Sequence, residues 1–198
     1  HIYRSLKKDG KARAAVVLPD NVLFEDGDGQ RIRKDLMDKC NLHTILRLPT
    51  GIFYAAGVKT NVLFFTRGKE ELNNTQGVWF YDMRTNVPNY GKRTPFTEKA
   101  FEGFVEAYTG GTKVNTLEKE FHGGIDEAKR ESIKDERWQY ITRESIAKKN
   151  DSLDLGLIAD DSLSTADDLG DPVDIAKEAL AELNSITAQL NAMLKELA

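Results

Sequence analysis

Two short apolar runs bracket one amphipathic segment near the start of the chain, and that succession narrows the folds open to it. "KARAAVVLP" has no polar alternation from Ala14 to Leu18 and ends at Pro19, so it reads as a strand buried on both faces. After a loop rich in Asp and Gly, "QRIRKDLMDKC" sets Ile32, Leu36 and Cys40 four residues apart, which predicts a short helix with one apolar face. "LHTILRLP" follows as a second strand and "KTNVLFFTRG" as a third. Strand, helix and strand within about 35 residues make a right-handed crossover between parallel neighbours, in a sheet covered on both faces. The third strand returns after a loop of about ten residues without helical pattern, which predicts an antiparallel partner.

Further along, "GVWFYDMR" reads as a fourth strand and "TEKAFEGFVEAY" as a helix with Phe101, Phe104, Val105 and Tyr108 on one side. Residues 110–136 are polar, with two glycine pairs, and read as an extended linker. Within Arg137 to Asp154 a short helix is expected from Thr142, capped by Thr142 and Ser145. "ADDSLSTADDLGDP" reads as loop, and Pro172 opens a long final helix. There Ala176, Leu183, Leu190 and Leu197 share one heptad position and Ala179, Ile186 and Met193 another. "HIYRSLKKDG" reads as the end of a helix stopped at Gly10, so His1 is expected to lie inside a larger domain.

A chain of 198 residues with 40% hydrophobic and 30% charged residues is globular in composition. No apolar run approaches the roughly 20 residues of a membrane span, and no leader pattern opens the sequence, so the expected location is cytoplasmic. Cys40 is the only cysteine, which excludes an intrachain disulfide, and His1, His43 and His122 lack any metal-ligand spacing. The net charge of -4 is uneven: +5 over residues 1–68, zero over 69–150 and -9 over 151–198. A basic first third suits phosphates and an acidic tail suits a protein partner; solvated charge on unrelated faces is the competing reading.

"LPTGIFYAAGVKTNVLFF" puts Phe53 and Tyr54 in the turn between two buried strands, although a turn that only reverses the chain needs no aromatic rings. The ordered pieces "GKARAAVVLPDNVLF", "IRKDLMDKCNLHTILRLPTGIF" and "VKTNVLFFTRG" resemble the N6-adenine DNA methyltransferases, most closely the modification subunit of type I restriction-modification systems. "RTNVPNYGKRTPFT", the Arg137–Trp138 pair and "NDSLDLGLI" extend the resemblance toward the end of the chain. It implies an α/β fold: the second half of a Rossmann-like methyltransferase sheet, parallel strands plus one antiparallel strand slotted between its two predecessors, followed by a mostly helical C-terminal tail. The expected divisions are 1–95 for the second half of the catalytic domain, 96–171 for a helix, polar linker and short elements, and 172–198 for a partner-docking helix.

The resemblance also implies S-adenosylmethionine as cofactor, held by a glycine-rich turn after the first strand, with the base methylated at an [Asn/Asp]-Pro-Pro-[Tyr/Phe] motif after the fourth. This chain has no such tetrad, and "DGDGQ" is an Asp-flanked glycine pair without a preceding cofactor-binding strand. No catalytic, cofactor-binding or metal residue is therefore assigned here; both motifs are expected upstream of His1, and the chain alone is expected to be inactive.

These enzymes turn the target nucleotide out of the duplex, and an aromatic ring in the turn between the last two strands forms one wall of the base pocket. Phe53, in "TGIF", matches that position, whereas ordinary core packing at the sheet edge is the competing reading. Tyr54 is the poorer match. Arg47, Lys59, Thr60, Lys92 and Arg93 are DNA-contact candidates, against solvated surface as the alternative, and Asp20 and Asn21 receive no role. The implied partners are double-stranded DNA, a specificity subunit, a second modification subunit and a restriction subunit. Two other classes stay open: a non-enzymatic interaction module on a methyltransferase-like scaffold, and an unrelated nucleotide-binding α/β protein with the Asp-Gly turn near a phosphate.

Overall fold

The computed structural model describes residues 1–53, 58–87, 90, 94–111, 127–154, 180, 183 and 187. The chain divides into two compact units, His1–Ala159 and Asp160–Ala198. In the second unit Leu180, Leu183 and Thr187 are helical. The rest of the expected final helix lies outside the described residues, as do the acidic loop, residues 112–126 of the linker, Tyr54, Lys92 and Arg93.

The first unit is built on a sheet of β1 (Arg13–Pro19), β2 (Cys40–Arg47), β3 (Thr60–Arg67), β4 (Gly77–Asp82) and β5 (Trp138–Thr142), in the order β1-β3-β2-β4-β5. β3 runs antiparallel to both β1 and β2, β4 is parallel to β2, and β5 is antiparallel to β4. The antiparallel third strand is slotted between its two predecessors, as the resemblance implies. The crossover from β1 to β2 consequently does not join neighbours, which corrects the expectation from its length. β3 displaces that pairing because its apolar run, Val62 to Phe65, is complementary on both edges: the turn after β2 brings it back beside β2, and its other edge then meets β1.

Among its described residues the unit has five α-helices: α1 (Ile2–Ser5), α2 (Asp28–Lys39), α3 (Glu102–Thr109), α4 (Glu127–Glu131) and α5 (Arg143–Lys148). Strand alternation sorts the core into two layers. One gathers Leu42, Ile45, Leu63, Phe65, Val78 and Phe80 against Met37 of α2 and Ile146 of α5. The other gathers Leu46, Trp79, Tyr81 and Trp138 against Phe104 and Ala107 of α3. Trp79 and Trp138, on adjacent strands, stack with ring centroids 4.7 Å apart and planes 10° from parallel.

The inward face of α2 differs from the expected one. Ile32 is 64% exposed, while Arg33 and Met37 are buried. Arg33 reaches the core because its guanidinium finds backbone acceptors there: Nε donates to the Asp151 carbonyl at 2.8 Å, and Nη1 donates to those of Val22 and Glu25 at 3.0 and 2.7 Å. α5 begins where expected, with the Ser145 amide donating to the Thr142 hydroxyl at 3.2 Å. β5 and α4 have no counterpart in the sequence reading. Among the described residues no helix is long and apolar enough to cross a membrane.

Candidate functional site

β1, β2 and β4 run the same way, so their carboxyl ends gather with the start of β3 at one edge of the sheet, the edge where open α/β sheets bind ligands. Backbone hydrogen bonds tie that rim together: Asp20 N–H to the Lys59 carbonyl at 2.9 Å, Leu48 N–H to Thr60 at 3.0 Å, and Met83 N–H to Arg47 at 3.0 Å. Arg47, Lys59 and Thr60 therefore lie on one rim, and the loop between β2 and β3 rises from it. Phe53 stands on that loop 45% exposed, with no place in either core layer. The turn beneath it depends on Gly51, whose φ is +84° and where a Cβ would run into the Tyr90 carbonyl oxygen. Tyr90 is itself packed edge-on against Phe96, with centroids 4.9 Å apart.

The charged side chains of the rim are mostly engaged. Arg47 Nη1 lies 3.4 Å from a carboxylate oxygen of buried Asp82, and Nη2 lies 3.7 Å from Asp154. Asp82 also accepts from the Arg84 and Thr85 amides, at 2.7 and 2.9 Å, and so builds the turn that follows β4. Arg137 holds the same turn from outside, donating to the carbonyls of Asp82, Thr85 and Asn86. Burial acts to raise the Asp20 carboxyl, but hydrogen bonds from Asn61 and Arg84 outweigh it and hold the group below its ordinary value. Lys59 is exposed, whereas Thr60 is buried and its hydroxyl has no hydrogen-bond partner among the described residues.

Sequence reading missed Arg84, Asn61 and Arg137 as parts of this rim. The signal available for Arg84 was "DMRTN": an aspartate at the carboxyl end of a strand, two residues before an arginine, forms a local turn through its own side chain. The glycine pair of "DGDGQ" does not form a turn directly after a strand, as the cofactor turn implied by the resemblance would. Asp20, the carboxylate at the end of β1, is engaged by Asn61 and Arg84, and the glycines at 27 and 29 open α2 from a 3-10 turn (Asp20–Leu23) rather than from a strand.

The family model of the N-6 DNA methylases matches residues 1–154. The methylase subunit of the type I restriction enzyme EcoKI from Escherichia coli K12 is 46% identical over 215 aligned positions, which take in the whole of this chain and 40% of the relative. The crystal structure of the EcoKI M protein aligns with a TM-score of 0.61 at 43% identity, over 96% of this chain and 41% of that one. A chain from a study of complex assembly and conformational transition in the type I R-M system aligns with a TM-score of 0.62 at 26% identity, over 99% of this chain and 38% of that one. This chain thus spans about 40% of the length of the curated relatives it matches. Matched through residue 154, and with its antiparallel strand seated between the two that precede it, the chain belongs to the N-6 DNA methylase family.

Proposed function

We propose that the chain is part of a site-specific DNA adenine-N6 methyltransferase subunit of a type I restriction-modification system, which moves a methyl group from S-adenosylmethionine to an adenine turned out of the duplex. The observation that carries this reading is the exposed Phe53 ring, raised on a glycine turn above the carboxyl edge of the sheet. An extruded base loses its neighbours in the stack, and an aromatic face restores about 1 to 3 kcal/mol of stacking. Exposed Lys59, at the foot of the same loop, suits a DNA phosphate oxygen, and Thr60 is assigned beside it on its sequence position alone. Arg47, tied to Asp82 and Asp154, contributes positive field more than a direct contact, and Lys92 and Arg93 are assigned to the DNA backbone on their sequence alone.

The test is Phe53→Ala in the complete subunit. Turnover is expected to fall roughly tenfold, as loss of about 1.4 kcal/mol of stacking would give, while affinity for S-adenosylmethionine stays nearly the same. Unchanged turnover refutes the assignment. Because the sequence contains neither an [Asn/Asp]-Pro-Pro-[Tyr/Phe] tetrad nor a glycine-rich turn following a strand, the purified 198-residue chain is expected to give no adenine methylation.

The proposed partners are double-stranded DNA, the specificity subunit, a second modification subunit and the restriction subunit, acting in the cytoplasm. Leu180 and Leu183, three residues apart on a helix and each 63% exposed, offer an apolar stripe to a partner helix. Deleting residues 172–198 is expected to abolish co-purification with the specificity subunit while sparing cofactor binding; retained assembly counts against that docking role.

A further inference from the structure

We infer that Arg84 is a positioning residue that sets the Phe53 loop against the sheet edge by bridging both ends of the loop. This rests on the assignment of Phe53 to the target base. Residues 48–59 leave β2 and return to β3, and such a span needs a fixed neck if its aromatic ring is to meet a base at a defined height. The Leu48–Thr60 backbone bond is one closure of that neck. Arg84 supplies a second one: Nε donates to the Leu48 carbonyl at 3.3 Å, and Nη2 donates to the Thr60 carbonyl at 3.1 Å. A single planar guanidinium thereby holds the residue at which the loop departs and the residue at which it re-enters the sheet.

The same group is locked from behind. Nη1 donates to Asp20 Oδ1 at 2.9 Å and Nη2 to Asn61 Oδ1 at 3.3 Å, while the Asn61 amide donates to that same Asp20 oxygen at 2.9 Å. The Arg84 side chain is 9% exposed, so its ion pair with Asp20 is largely shielded from water and salt. Its backbone sits on the turn fixed by Asp82 and Arg137. The rigid turn after β4 and the end of β1 are thus joined to the loop through one side chain. Lysine cannot replace it, because an ammonium has no fork that reaches carbonyls on two strands while facing a carboxylate.

The test is a double-mutant cycle in the complete, assembled modification enzyme acting on duplex DNA with its recognition sequence. Arg84→Lys is expected to lower kcat roughly tenfold with KM for DNA within about twofold, since a ring displaced by a fraction of an ångström loses alignment before it loses binding. In a Phe53→Ala background the same substitution is expected to lower kcat by less than about twofold, because the two residues act as one unit. A full tenfold loss in that background, or no loss from Arg84→Lys alone, overturns the role of Arg84 and leaves Phe53 standing. No loss from Phe53→Ala overturns the base-stacking assignment itself, and the role of Arg84 with it. Asp20→Asn, which keeps the shape of the site and weakens the rear anchor, is expected to give a smaller loss of the same non-additive kind and serves if Arg84→Lys does not fold. Chymotrypsin cleavage after Phe53 in the DNA-free enzyme is expected to quicken several-fold in Arg84→Lys at a temperature well below the melting transition of the variant; unchanged cleavage contradicts a loosened loop.

Discussion

Arg130→Ala is expected to destabilise the first unit by about 3 to 5 kcal/mol, the range for removing one member of a buried charged cluster. Arg130 has no solvent exposure. Its guanidinium lies 4.9 Å from the centre of the Trp138 ring, 5.4 Å from Tyr108 and 5.6 Å from Trp79, so three aromatic rings surround the charge. Nη2 donates to the Thr44 hydroxyl at 2.5 Å and Nη1 to Glu127 at 3.1 Å. Glu127 in turn accepts from the Trp79 indole at 2.8 Å, and the Arg130 carbonyl accepts from the Trp138 indole at 3.2 Å. Alanine removes the side chain that holds α4 to the sheet and leaves a cavity beside the two stacked tryptophans. Arg130→Met fills most of that space without the charge and is expected to lose about half as much, since half-exposed Glu127 can rehydrate. Urea unfolding at constant m-value measures both. A loss below about 1 kcal/mol for Arg130→Ala means that α4 is held by something other than this cluster.

The sheet was legible because apolar runs mark strands, but the burial expected on both faces of β1 is not found: at the end of the strand order among the described residues, it alternates between half-buried and exposed positions, with Val17 52% exposed. Ala14 to Leu18, the run at Leu42 to Leu46 and the run at Val62 to Phe65 all became strands, and the family likeness supplied the position of the antiparallel one. What stayed hidden was arginine in the interior. Arg33 and Arg130 are both buried, each satisfied by acceptors far along the chain: the Asp151 carbonyl for one, the Thr44 hydroxyl for the other. A pattern that scores arginine as polar turns α2 by one position and leaves α4 as linker. β5 was missed for a related reason: half of it faces solvent, and the burial of Trp138 comes from stacking on Trp79, a residue 59 positions earlier in the chain. At the site, Phe53 was legible from a ring that the turn itself did not need. Arg84 was not, because its role lies in two backbone carbonyls and a carboxylate contributed by other strands.

Acidification from pH 6.5 to 4.5 is expected to remove about 2.3 kcal/mol of stability through His43 alone, the loss steepening to about 1.4 kcal/mol for each pH unit below the ordinary histidine pKa. His43 is 2% exposed and sits at the register shift where β2 bulges against β3. Its Nδ1 lies 2.9 Å from the Thr44 hydroxyl and its ring 6.1 Å from Tyr108, while Nε2 has no hydrogen-bond partner among the described residues. Burial first, then the positive charges of Arg130 and Arg13, push its pKa down to about 3. The folded state therefore keeps the ring neutral while the unfolded chain takes up a proton near its ordinary pKa of about 6.5. Stability is whole above that value and falls as the pH drops toward 3, opposite in sign to a histidine that gains an acidic partner. Asp20, held low by Asn61 and Arg84, loses its contribution only below the ordinary carboxylate range, so the interval from pH 5 to 6.5 isolates the histidine. His43→Phe, close in volume and unable to titrate, is expected to flatten the slope over that interval. Arg130→Met is expected to leave that slope nearly unchanged and to raise the pH below which the loss levels off, because one of the charges that repels the proton is gone. A slope unchanged in His43→Phe assigns the acid sensitivity to another group.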